Sequence, residues 1–178
     1  MPSYSVDRVR YLKPNGDIGI EQPPDLAAWG LEVASDNGLA LHLSLQEVKS
    51  LPKTEMITRF CCIEGWSTVA YWGGARFSDF TRKYFPPGRK LPQYVYMATP
   101  GEDYYVGLDI KSAMHPQTLL AYEQNGKPLA DVHGAPLRLA IPVKYGIKNI
   151  KRIGLIKYTN TKPGDYWAEE GYDWFAGL

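Results

Sequence analysis

The two cysteines of this 178-residue chain are neighbours, Cys61 and Cys62, and Ile63-Glu64-Gly65-Trp66-Ser67 follow them. A carboxylate and a glycine each weaken an apolar strand, so core filling alone explains this segment poorly. A thiolate is a nucleophile or a metal ligand. Glu64, two residues on, is either a surface carboxylate or a second group with a chemical task. Adjacent side chains in extended chain point to opposite faces, and a bond between Cys61 and Cys62 would be strained. Nor is this the Cys-x-x-Cys spacing of zinc sites or thiol exchange. Two readings stay open on these residues: two small buried hydrophobes, or one working thiolate beside a bystander.

A second chemically suggestive group lies downstream. Between Lys127 and Lys157 stand seven basic residues and one acidic residue, Asp131, an asymmetry hidden by a net charge of +1 for the whole chain. Basic side chains on strands, with the backbone N–H groups of a Gly-containing loop, can hold an anion. Charge alone is equally consistent with a solvated face. Aromatic residues are not interleaved as nucleic-acid stacking requires, so no nucleic-acid partner is expected; a single phosphorylated ligand suits the size of the patch.

These groups must be positioned by one domain, since 178 residues are too few for two ordinary ones. With 14 Pro, 17 Gly and 13 Tyr, many turns and short strands are expected rather than long helices. No run of 18 apolar residues and no charged-then-apolar leader occurs, so neither a membrane span nor an export signal is expected within the chain. Residues 1–24 read as an irregular lead-in and residues 25–178 as the domain. Trp29–Val33 and Leu39–Leu43 read as strands around an Asp36-Asn37-Gly38 turn. Ser44 and Glu47 form a capping box for a short helix that Pro52 ends. Thr54–Tyr71 reads as strand, loop and strand around the cysteines. Phe77, Phe80, Tyr84 and Phe85 repeat at helical spacing before Pro86-Pro87-Gly88. Tyr94–Met97 reads as a strand, Asp109 as the cap of a short helix, and Asn125-Gly126 as a tight turn. Leu137–Ile141 and Ile150–Tyr158 read as strands. The aromatic tail from Pro163 is expected to pack back on the domain.

Four segments, in order, resemble the sulfite oxidase superfamily, nearest its bacterial methionine-sulfoxide-reductase branch. They are Cys62–Ser67 with Trp72-Gly73-Gly74, Tyr94–Thr99, Gly107 through Leu129, and His133–Lys151. The resemblance implies an α+β fold with a sulfite-oxidase-type mixed β-sheet, barrel-like core and short helices. It implies molybdenum-molybdopterin as cofactor, Cys62 as the metal ligand, and Thr99, His133, Arg138, Asn149, Ile150 and Lys151 as cofactor contacts, with Lys148 as a helper. Glu64 would lie near the metal, Tyr105 and Asp109 are weaker pocket candidates, and Trp66 and Trp72 read as walls. Two-electron oxygen-atom transfer on a small substrate is implied, with sulfoxide reduction favoured over sulfite oxidation.

A separate electron-transfer partner, a haem protein or a quinone-linked subunit, and a monomeric state are also implied. The bacterial branch works in the periplasm; a chain with its leader removed is expected there, and one starting natively at Met1 in the cytoplasm. Members of the superfamily close the cofactor site with an N-terminal segment that carries an asparagine, and no counterpart is evident between Met1 and Trp29. Two other classes compete: a cysteine hydrolase using Cys62 and His133, and a cofactor-free binding module on the same fold.

Overall fold

In the computed structural model, which describes residues Met1–Leu178, buried and exposed side chains alternate along Leu31–Ser35 as the period of a strand requires. This strand, β1, pairs antiparallel with β2 (Ala40–Leu43) and parallel with β10 (Leu155–Thr159). Beyond β10 come β5 (Tyr94–Ala98) and β6 (Tyr105–Asp109), completing a mixed five-stranded sheet ordered β2-β1-β10-β5-β6. The second sheet is antiparallel, ordered β3-β4-β7-β8, with β9 also on β7. Its members are β3 (Lys53–Cys61), β4 (Ser67–Arg76), β7 (Leu119–Gln124), β8 (Lys127–Pro128) and β9 (Arg138–Ala140).

Four short helices join these strands: α1 (Leu45–Lys49), α2 (Phe77–Tyr84), α3 (Ile110–Ala113) and α4 (Tyr166–Glu169). The capping box is present at α1, where Ser44 and Glu47 each satisfy the other's backbone N–H. Asp109 caps α3 by accepting from the Ser112 N–H at 2.8 Å. The α2 residues Phe77 and Phe80 are fully buried, as their spacing predicts.

Side chains of both sheets and of α2 share one core of 23 buried residues, including Leu31, Val95, Met97, Phe77, Leu120 and Ile156. A smaller cluster packs Leu12 of the lead-in against Met56, Ala70, Trp72 and Leu119. Strand β4 serves both clusters because its register with β7 shifts between Gly73 and Gly74. A Cβ at Gly74 would stand 2.2 Å from the Leu120 carbonyl oxygen, so this crossing demands glycine. The Trp72-Gly73-Gly74 pattern is thus a bulge that lets one strand face two cores.

Strand formation between Ile150 and Tyr158 is shorter than its composition suggests. Only Leu155–Thr159 is strand, because Arg152 adopts a φ of 46° and the segment before it turns to pack against β9. The Ile153 N–H reaches the Leu137 carbonyl and the Leu139 N–H reaches that of Ile150.

Candidate active site

The β3–β4 hairpin ends in the loop that holds Cys62. Its N–H donates to the Trp66 carbonyl at 2.9 Å, and the Gly65 N–H donates to the Cys62 carbonyl at 3.1 Å. Gly65 has φ 91° with nothing near its absent Cβ, so the backbone conformation alone selects glycine here. Alternation through the end of β3 separates the two cysteines: Cys62 is 6% exposed and lines a pocket that Cys61 does not.

That pocket has a cavity volume of about 170 Å³ behind an open mouth. Cys62, Glu64, His133, Arg138, Asn149 and Lys151 all line it. The hairpin loop, the turn after β8, β9 and the segment following it therefore converge on one pocket, as the family resemblance implies. Phe60, Trp66, Tyr104, Trp167 and Tyr172 supply aromatic walls.

Around the thiol, Asn15 Nδ2 donates to Cys62 Sγ at 3.6 Å, and Glu64 Oε2 lies 3.9 Å from the same sulfur. Glu64 also accepts from Trp66 Nε1 at 3.0 Å. That bond, then one from Asn15, holds the exposed Glu64 carboxyl below the usual range, so it stands ionised beside the thiol.

The other charged side chains of the lining include Arg138 and Lys151, neither of which forms an ion pair. Arg138, 2% exposed, donates to the carbonyls of His133 at 2.9 Å, Asn149 at 3.1 Å and Leu139 at 3.4 Å. Burial pushes its pKa down to about 10. Lys151 donates to the Gly16 carbonyl at 2.6 Å, and burial, then the Arg138 charge, pushes it down to about 8. Burial, then Arg138 and Lys151, drives His133 down to about 4, and its buried Nδ1 has no partner. A buried guanidinium without counter-charge, beside a half-buried lysine and an unsatisfied imidazole nitrogen, fits a ligand that brings its own negative charge. The thiol in the same pocket is of the soft type that suits a metal carried by such a ligand.

Three expected contacts lie elsewhere. Lys148 is fully buried, paired with Asp165 and donating to the Gly107 carbonyl at 2.9 Å, so its ammonium is not free for a phosphate. Ile150 packs in the main core with 1% exposure and does not line the pocket. Thr99 is 1% exposed and bonded to the backbone of Tyr104; a Cβ on Gly19 would come within 2.6 Å of its Oγ1. The weaker candidates are engaged as well: Tyr105 donates to Glu169 at 2.5 Å, and Asp109 pairs with Lys144 at 3.3 Å. Trp66 is a wall, whereas Trp72 lies behind Arg138.

The lead-in also departs from expectation. Lys13, Asn15, Gly16 and Ile18 line the pocket, so this segment closes over the site and supplies an asparagine at the thiol. Its mix of Pro, Gly and charge gives no periodicity by which to place it; its docking on distant partners (Lys151 to Gly16, Arg152 to Gln22) does. The tail likewise supplies Trp167 and Tyr172, fastened by Lys148–Asp165 and by Lys148 and Lys162 on the Trp174 ring.

A hydrolase geometry is not present. Cys62 Sγ is hydrogen-bonded to Asn15 and Glu64 and not to His133, which lacks the contact a general base needs.

Among known proteins, YedZ1 of Azospira oryzae, provisionally named a protein-methionine-sulfoxide reductase subunit, is 37% identical over 86% of this chain and 57% of its own length. The protein-methionine-sulfoxide reductase catalytic subunit MsrP of Xanthomonas campestris is 37% identical over 81% of the chain and 49% of its own length. MsrP of Campylobacter jejuni is 33% identical over 90% and 60%. The chain thus spans about half to three fifths of the length of these curated relatives. The sulfane dehydrogenase SoxCD of Paracoccus pantotrophus shares the fold, with a TM-score of 0.67 at 16% identity over 78% of this chain and 40% of that one. Residues 19–167 match the oxidoreductase molybdopterin binding domain. With a buried thiol and cationic side chains facing one pocket, and that match covering most of its length, the chain belongs to the oxidoreductase molybdopterin binding domain family.

Proposed function

We propose that this chain is the catalytic domain of a molybdenum-dependent oxidoreductase that reduces a sulfoxide to a thioether, consuming two electrons and two protons and releasing water. The observation that carries the reading is one pocket lined by both a buried thiol and a buried guanidinium that has no carboxylate partner. Cys62 would hold the metal, while Arg138, Lys151, His133 and Asn149 would hold the pterin and its phosphate. When bound, molybdenum-molybdopterin supplies the two-electron oxygen-atom chemistry.

The chain's own residues then have separable tasks. Asn15 donates to the Cys62 sulfur and fixes its orientation. Glu64, beside that sulfur, relays a proton or orients a water at its Oε2. Trp66, Trp167, Tyr172 and Ile63 give the mouth polarizable and apolar walls, which suit a neutral sulfur compound better than a hydrated sulfite anion. The names of the similar proteins support the same direction of reaction.

We assign the supply of electrons to a separate protein; no helix of this chain is long and apolar enough to cross a membrane. A haem protein or a quinone-linked membrane subunit fits that role. Turnover of the holoprotein with reduced viologen is the test: a methionine-sulfoxide peptide should be reduced, while sulfite should not reduce an added acceptor. The opposite preference would refute the direction proposed.

A further inference from the structure

The back of the Cys62 hairpin carries a concavity that the pocket chemistry does not use. Tyr4, Arg8, Arg10, Arg59, Ser67 and Thr68 line it. The lead-in is laid across the hairpin there: the Tyr4 N–H donates to the Ile57 carbonyl at 3.0 Å and the Arg10 N–H to that of Val69 at 3.0 Å. Thr68 Oγ1 adds a bond to the Tyr11 carbonyl at 3.3 Å. Two arginines of a distant segment are thereby set beside Arg59 of β3.

None of the three forms an ion pair, and all are exposed. Arg10 donates to the Asp7 and Val9 carbonyls at 2.6 and 2.9 Å, and Arg59 Nε donates to Ser67 Oγ at 3.0 Å. Asp7 is the carboxylate that Arg8 and Arg10 influence, so the cluster keeps a net positive charge. Alternation along β3 turns Phe60 into the pocket and Arg59 to the opposite face. Arg59 is nevertheless three residues from Cys62 in the chain.

We propose that this arginine surface docks an electron-carrier protein through an acidic patch, delivering electrons from behind the hairpin while the pocket mouth stays open to substrate. The proposal rests on the reductase reading above. In that reaction the S–O bond breaks, the oxygen leaves as water with two protons from solvent, and the carrier gives up two electrons and is left oxidised. Exposed guanidinium groups hold a single small anion weakly, because water screens each contact. They are effective at steering a large surface of opposite charge, where their fields add. One tyrosine among three arginines offers no stacking platform for nucleic acid.

The test compares the wild-type holoenzyme with an R8E/R10E/R59E variant and an R8K/R10K/R59K variant. Each is given a methionine-sulfoxide peptide and one of two reductants: dithionite-reduced benzyl viologen, or NADH-energised membranes of the organism of origin. With membranes, charge reversal should lower kcat/KM by about tenfold or more, the lysine variant should keep most of the rate, and added salt should slow the wild type. With viologen all three should be equal. Equal membrane-driven rates in wild type and charge-reversed protein overturn the proposal. So do an equal loss with both reductants and a wild type that membranes cannot reduce. A wild type inactive with viologen contradicts the reductase reading itself.

Discussion

The Arg138 guanidinium stacks over the Trp72 ring at 4.7 Å from its centroid, and its other contacts are backbone carbonyls of His133, Asn149 and Leu139. A tryptophan from the bulged strand thus supports the most buried cation of the pocket without neutralising it. Arg138→Met keeps the volume and removes the charge. Relief of an unpaired charge opposes the loss of three carbonyl partners, so the cofactor-free protein should change in stability by less than about 2 kcal/mol in urea unfolding. Pterin recovered from purified protein should nonetheless fall about tenfold or more, because a charge-assisted contact is lost. Equal pterin content would remove Arg138 from the cradle.

Lys148 should behave in the reverse way. Its ammonium is fully buried against Asp165, which also accepts from the Gly107 N–H at 3.0 Å and caps α4 through the Ala168 N–H at 3.1 Å. Lys148→Met leaves that carboxylate buried and unpaired, and should destabilise the cofactor-free protein by about 3–5 kcal/mol. A K148M/D165L double variant should recover part of the loss. A phosphate ligand would instead show cofactor loss from a protein of unchanged stability.

The two titrating groups at the cradle give opposite edges to the pH profile. Lys151 ionises near 8 in the folded chain against an ordinary value of 10.5. As pH rises between those values the unfolded chain binds the extra proton, so the cofactor-free protein gains stability. Retention of an anionic ligand should fall over the same rise, as the ammonium is lost. His133 ionises near 4 against 6.5, so stability should drop as pH falls from 6.5 toward 4. Lys151→Gln should flatten the alkaline edge and His133→Gln the acid edge, read by denaturant midpoints across pH.

Asn15 joins the lead-in to the thiol, at 3.6 Å from Cys62 Sγ. Asn15→Asp would set a second carboxylate beside Glu64 and the sulfur and should reduce molybdenum content. Asn15→Ala should leave more metal bound but raise the rate at which iodoacetamide labels Cys62 in cofactor-free protein. An unchanged labelling rate would mean that the lead-in does not cover the thiol in solution.

Much of this geometry was legible where local rules act. The Ser44–Glu47 capping box, the Asp109 cap and the aromatic spacing of α2 are decided within a few residues, and each formed as its chemistry requires. The convergence of Cys62 with His133, Arg138, Asn149 and Lys151 was legible only through the family resemblance that the ordered motifs carry. What could not be read was which of several similar cations is spent elsewhere. Lys148 and Lys151 are three residues apart, yet one is paired with a tail aspartate and the other faces the pocket, a difference set by Asp165 arriving from another part of the chain. Asn15 and Tyr172 were equally opaque, because their segments have no period and are placed only by long-range contacts.

The central claim is that Cys62 holds molybdenum in a pterin-bound site. Protein purified from a host that makes the cofactor should be analysed for metal, and for the fluorescence of its released, oxidised pterin, beside Cys62→Ser and Cys61→Ser variants. Stoichiometric molybdenum and pterin in wild type and Cys61→Ser, with molybdenum lost in Cys62→Ser, is the result expected. Wild-type protein carrying neither metal nor pterin, or a Cys62→Ser variant that keeps both in full, would contradict it.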